Sequence, residues 1–168
     1  MRPLSPRSFA TNNRIKVVYA KSPPTASGGE AHAATFLNQR RIVLASALRR
    51  NAAERKRILT HELFHFVWRR LGNPARNAWR ALLAGEFASH ARGELGWSAE
   101  WRKKRVLHRD IKSGNRLWRD YSCEAFCDTA AWLYSGLRNH EEFTLARKWR
   151  NLRRAWFVEW IEASELRL

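Results

Sequence analysis

The chain has 168 residues, 45% of them hydrophobic and 12% aromatic, with nine Trp and eight Phe, so it carries enough apolar surface for a core and is not a disordered chain. Its length points to one domain and excludes large multidomain machinery. Lys plus Arg outnumber Asp plus Glu by 32 to 15, a formal charge of +17 with 25 of the cations arginine, which attracts polyanions or acidic partners but does not determine a fold.

Residues 1–12 hold two Pro with several Ser, Thr and Asn and no apolar period; they read as a flexible tail, and residues 13–168 as a single domain. The tail lacks the apolar core of a signal peptide, and no apolar run approaches the length of about 20 residues that a membrane span needs. A cytoplasmic protein without a membrane partner is the expectation. Residues 13–20 read as a strand, because Ile15, Val17, Val18 and Tyr19 are β-formers between polar flanks. Residues 21–30, with Pro23-Pro24 and Gly28-Gly29, read as a loop. Residues 33–37 and 41–46 follow as two strands joined by a short hairpin, which completes a small antiparallel sheet.

From there the pattern is helical. Asn51 with Glu54 three residues on forms an N-terminal cap, and the helix it opens runs through Leu59, Leu63 and Phe66 until Gly72 and Pro74 stop it. Further helices are expected over residues 75–94, after Ser98, over 117–134 and over 141–163, with a polar loop at 108–115. The last helix sets Trp149, Leu152, Trp156, Trp160 and Ile161 on a broad apolar stripe, which reads as core. The fold class is therefore α+β, a small sheet followed by a mostly helical region.

His61-Glu62-Leu63-Phe64-His65 is an HExxH motif inside the first long helix. Four helical residues advance about 400°, so both imidazoles leave one face a turn apart and can bind one Zn²⁺. Glu62 flanks that face, where a carboxylate accepts a proton from a metal-bound water and returns it to a leaving amine. Ile58, Leu59, Phe64, Phe66 and Val67 keep the flanks apolar, and no Pro interrupts. Two His and a water leave a tetrahedron one protein ligand short. Cys123 and Cys127, the two cysteines of the chain, are four apart on a helix, poorly placed for a disulfide, and read as small buried hydrophobes.

Two other signals are discounted. Residues 106–115, VLHRDIKSGN, match a protein-kinase catalytic loop, but no Gly-rich loop, strand lysine or D-F-G accompanies them. Arg102 to Arg105 and the arginine pairs at 49–50, 69–70 and 153–154 offer a phosphate-binding surface, though solvated helix faces account for them more simply.

The pairing of HExxH with Glu124-Ala-Phe-Cys-Asp128-Thr-Ala-Ala resembles the gluzincin metallopeptidases, in particular the glutamate helix of lethal-factor-like and ImmA/IrrE-type peptidases. The metzincin pattern is not met, since Trp68 and Leu71 stand where that subclass has Gly and a third His. The resemblance implies a zincin-like fold, with His61, His65 and Glu124 as zinc ligands and Glu62 as general base. It makes Asp128 the partner that orients a ligand histidine, and residues 41–46 an edge strand that pairs with an extended peptide. Tyr121, one turn before Glu124, is the first candidate for stabilising the oxyanion, with Tyr134, His108 and His90 behind it. Glu86, 21 residues after His65 in Glu86-Phe-Ala-Ser-His90, competes for the third ligand. The expected function is zinc-dependent hydrolysis of a peptide or protein substrate. The alternative is a basic nucleic-acid-associated regulatory protein with a structural or weakly proteolytic zinc site.

Overall fold

The computed structural model describes residues 14–24 and 32–162; the tail at 1–12 and the glycines at 28–29 lie outside them. Three strands form one sheet: β1 (Lys16–Ala20), β2 (Ala33–Phe36) and β3 (Arg41–Ala45), in the order β1-β3-β2. The fold is α+β, and the sheet is mixed rather than wholly antiparallel. β2 and β3 form the expected antiparallel pair with Ala34 opposite Val43, whereas β1 runs parallel to β3 with Val18 opposite Val43. Between β2 and β3, the chain turns through Leu37–Gln39 and Arg40, the latter in the left-handed conformation at φ 45°.

β3 is thus the central strand, which corrects its expected place at an edge. The physical reason is in its sequence: Ile42, Val43, Leu44 and Ala45 are all buried, the composition of a strand covered on both faces. β1 and β2, only partly buried, take the edges.

The helices are α1 (Ala52–Arg70), α2 (Asn73–Ala88), α3 (Trp97–Lys103), α4 (His108–Ser113), α5 (Arg116–Tyr134) and α6 (Arg147–Phe157). Asn51 caps α1 as expected, its Oδ1 accepting from the Glu54 N–H at 3.0 Å; such a cap is worth about 1 kcal/mol. The Glu54 carboxylate does not close the reciprocal half but takes the Arg57 Nε at 2.9 Å. At the other end, the Arg76 guanidinium donates to the carbonyls of Trp68 and Arg69, each at 2.8 Å, satisfying acceptors that the helix leaves open.

Three helical boundaries differ from expectation. α2 stops at Ala88 rather than 94, because His90 turns left-handed (φ 53°) and the Ala91 N–H closes back on the Glu86 carbonyl at 2.9 Å, a Schellman ending. The stretch at 108–115 is not a loop but holds α4, whose first turn is fixed by the Leu107 N–H donating to Asp110 Oδ2 at 2.7 Å. α6 begins at Arg147, so Phe143 and Leu145 lie ahead of it and make a small separate cluster with Leu95. A π turn over Val158–Glu162 continues α6.

The most extensive helix packing is between α1 and α5, and the sheet lies against α1 through β2 and β3. At that seam, Phe64 meets Phe126 at 5.8 Å between ring centroids and stacks on Tyr134 at 5.5 Å. Trp79 of α2 and Trp156 and Phe157 of α6 complete the aromatic core, so the stripe expected on the last helix is partly core, though Leu152 is exposed. Among the described residues, no helix is long and apolar enough to cross a membrane.

Candidate metal centre

The packing of α1 on α5 brings the HExxH face against Glu124 and Asp128. His61 stands between the two carboxylates: its Nδ1 lies 2.7 Å from Asp128 Oδ1, and its Nε2 lies 3.3 Å from Glu124 Oε2. His65, one turn further along α1, has its ring centroid 5.0 Å from that of His61. On its other side, His65 Nδ1 meets two sulfurs, Cys123 Sγ and Cys127 Sγ, each at 3.5 Å.

Neighbouring elements fix these groups. Asp128 reaches across to the start of α3, where its Oδ2 accepts from the Ala99 N–H at 2.9 Å. One carboxylate therefore orients the imidazole and caps a helix. The approach depends on Gly96: a Cβ there would stand 2.1 Å from the Asp128 Cγ and 2.3 Å from its Oδ1. Glu62, at the edge of the histidine face, accepts from Thr35 Oγ1 of β2 at 2.6 Å. Glu124 is also paired with Arg102 of α3, Oε1 to Nη2, at 3.2 Å.

Electrostatically the site is a buried ion-paired cluster. Burial raises the Glu124 carboxyl, but the His61 hydrogen bond and the charges of His65, His61 and Arg102 outweigh that and bring it down to about 2. Burial likewise disfavours charge on His61, yet the charge and hydrogen bond of Asp128, backed by Glu124 and Glu62, hold it well above the usual histidine value. His65 is raised to about 9, with burial overcome by Cys123 and Glu124. Cys123 is lowered to about 6, chiefly by its Cys127 contact, with burial opposing and His65 assisting; burial pushes the Cys127 thiol up.

The donor set suits zinc: two imidazoles, a carboxylate and nearby thiols are the groups that zinc selects. Two light-atom ligands about 2.0–2.1 Å from a tetrahedral zinc are about 3.3–3.4 Å apart, and His61 Nε2 and Glu124 Oε2 are separated by 3.3 Å. The donor atoms of His61, His65 and Cys127 all lie within 4.8 Å of one another.

Two expected roles do not fit the geometry. Tyr121 is wholly buried and its hydroxyl donates to Glu94 Oε1 at 2.7 Å, so it serves the core instead of an oxyanion. Glu86 is bound by the Arg153 guanidinium through Oε1 at 2.9 Å and Oε2 at 2.6 Å, inside the same buried network, where Arg153 also holds Glu94. Both carboxylate oxygens of Glu86 are thus committed to a buried arginine. Of the reserve oxyanion donors, Tyr134 donates to Glu162 at 3.0 Å, and His90 and His108 are exposed.

The sequence reading missed Thr35, Gly96, Ala99 and Arg102. No local motif marks Thr35, Gly96 or Ala99; the one visible sign of Arg102 is its place in the basic run after Trp101. In a second grouping, Glu54, His140 and Glu142, both carboxylates are already paired with one cation, Arg57 Nη2 lying 2.5 Å from Glu54 Oε1 and 2.8 Å from Glu142 Oε1. A hollow of about 880 Å³, lined by Arg138, Arg147, Arg150 and Arg154 among others, shares no residue with the histidine cluster. Comparison with protein-family models, with curated proteins and with solved structures finds no match to this chain.

Proposed function

We propose that the chain is a zinc-dependent metallopeptidase of the gluzincin type with a zincin-like fold, in which His61, His65 and Glu124 hold the metal and Glu62 is the general base. The observation that carries this reading is the double engagement of His61, by Asp128 on Nδ1 and beside Glu124 on Nε2, on the helix that bears Glu62. A carboxylate on the far nitrogen of a ligand histidine fixes its tautomer and raises its basicity.

When bound, Zn²⁺ polarises the scissile carbonyl and acidifies the attacking water. Glu62 accepts that proton and delivers it to the leaving amine, and the Thr35 hydroxyl fixes the carboxylate through its Oε2. Arg102, partly exposed beside Glu124, is the cation available to the developing oxyanion in place of Tyr121. An extended substrate pairs with the edge of β2, the strand that carries Thr35, rather than with β3. The two unpaired thiols suit the reducing cytoplasm expected from the sequence.

Glu62→Gln tests this reading: it retains zinc and lowers peptide hydrolysis by about 10²–10⁴-fold, the usual worth of a general base. Hydrolysis of a peptide library at the wild-type rate by this variant contradicts it.

A second reading, the binding of single-stranded nucleic acid, is favoured by one surface feature. Trp97 and Trp101 on α3 are exposed and stacked 6.2 Å apart, beside a hollow of about 380 Å³ lined by Arg102, Arg105 and Arg116. Aromatic faces among cations are what unpaired bases and phosphates bind. Quenching of tryptophan fluorescence by an oligonucleotide, weakening steeply with salt, supports this reading, and absence of quenching at low salt removes it.

A further inference from the structure

Cys127 is the group at this site to which the peptidase reading gives no role. It is fully buried on α5, its Sγ lies 3.5 Å from His65 Nδ1, and its sulfur belongs with His61 and His65 to the set of donors within 4.8 Å of one another. A nitrogen about 2.0–2.1 Å and a sulfur about 2.3 Å from one tetrahedral zinc stand about 3.6 Å apart. The His65–Cys127 separation therefore matches a ligand-to-ligand edge with Nδ1 as the donor nitrogen, just as the 3.3 Å between His61 Nε2 and Glu124 Oε2 does. Each separation joins one group from α1 and one from α5; His61, His65 and Cys127 are the donors that stand mutually close, and Glu124 approaches them through His61.

We propose that Cys127 is a fourth protein ligand, so that the resting site is a closed tetrahedron of two histidines, a glutamate and a thiolate. The proposal rests on the metallopeptidase reading and gives that enzyme a latent state. Closed four-ligand sites are structural, whereas catalytic ones keep a position for water. On loading, the Cys127 S–H bond gives its proton to solvent and the sulfur bonds the metal, which deprotonates a coordinating thiol outright. Activity would require the sulfur to leave the metal and take back a proton from solvent, with water taking the vacated position. Cys123 also stands 3.5 Å from His65 Nδ1, but it is partly exposed, whereas Cys127 is fully buried. Cys123 is a hydrogen-bonding neighbour of His65 and not a ligand.

The test is loading of the full chain with Co²⁺ in place of Zn²⁺, followed by absorption spectroscopy. Wild type and Cys123→Ala show a sulfur-to-cobalt charge-transfer band in the near ultraviolet; Cys127→Ala loses it while still binding cobalt in equimolar amount with its visible d–d bands. Bound cobalt without the band in wild type, or a band that survives Cys127→Ala, overturns the thiolate ligand and leaves the metal reading standing. Failure of wild type to bind cobalt at all overturns both.

Discussion

Gly96→Ala is expected to damage the proposed metal centre from outside its ligand set. Its φ of −176° is extended backbone that any residue adopts, so the substitution introduces no backbone strain. The obstacle is space: the new methyl would lie 2.1 Å from Asp128 Cγ and 2.4 Å from Oδ2, against an ordinary contact of at least 3.4 Å. The carboxylate must retreat by about 1 Å or more, beyond what the 2.7 Å bond to His61 and the 2.9 Å bond from Ala99 can absorb. Loss of such a partner of a ligand histidine costs about 10–100-fold in metal affinity, which is about 1.4–2.8 kcal/mol. The assay is zinc competition with a chromophoric chelator for wild type, Gly96→Ala and Asp128→Asn, with circular dichroism to verify the fold. Gly96→Ala binding zinc as tightly as wild type would refute the reasoning, because Asp128 would then have no measurable hold on the metal through His61.

Other perturbations separate site from scaffold. Thr35→Val frees Glu62 Oε2 without touching a ligand, so zinc content is unchanged while kcat for peptide hydrolysis falls; equal loss of zinc would place Thr35 in the scaffold instead. Tyr121→Phe removes a hydrogen bond to a buried carboxylate, costing about 1.5–3 kcal/mol by denaturant titration and leaving zinc content and turnover intact; a collapse of kcat at normal stability would restore Tyr121 to the mechanism. Arg153→Met strands Glu86 and Glu94 in the core, and breaking such a pair costs about 3–5 kcal/mol; a melting temperature within a degree of wild type would contradict the network. Burial opposes the charge on Glu94, but Arg153 and Lys103 outweigh it and lower its carboxyl below 4.5. Its contribution to stability is therefore present above that value and is lost as pH falls through the lowered one, which melting curves across acid pH will show.

The helical part of the site was readable in advance because the 3.6-residue period converts spacing into direction. His61 and His65 had to share a face, and Glu124 and Asp128 had to lie a turn apart on another helix. What no period encodes is which loop meets which helix. Tyr121 is one turn from Glu124 in sequence, yet the residue it touches, Glu94, comes from the segment after α2, and Glu94 is there because His90 ends that helix early. Thr35 and Gly96 act through contacts 27 and 32 residues away from them in sequence, with nothing local to mark them. β3 looked like an edge strand because the resemblance supplied one. Its unbroken apolar run, Ile42 to Ala45, was the sign of a central strand and carried more weight than the analogy. α4 was hidden by its charged residues, although Asp110 is the residue type that opens a helix.

The central claim, that HExxH and Glu124 make one metal site, is tested most directly by elemental analysis of untagged wild type, His65→Ala, Glu124→Ala and Glu86→Ala. The account predicts equimolar zinc in wild type, its loss in His65→Ala, a reduced amount in Glu124→Ala and wild-type content in any Glu86→Ala that folds. Wild type without zinc after reconstitution, or zinc that depends on Glu86 and not on Glu124, contradicts it.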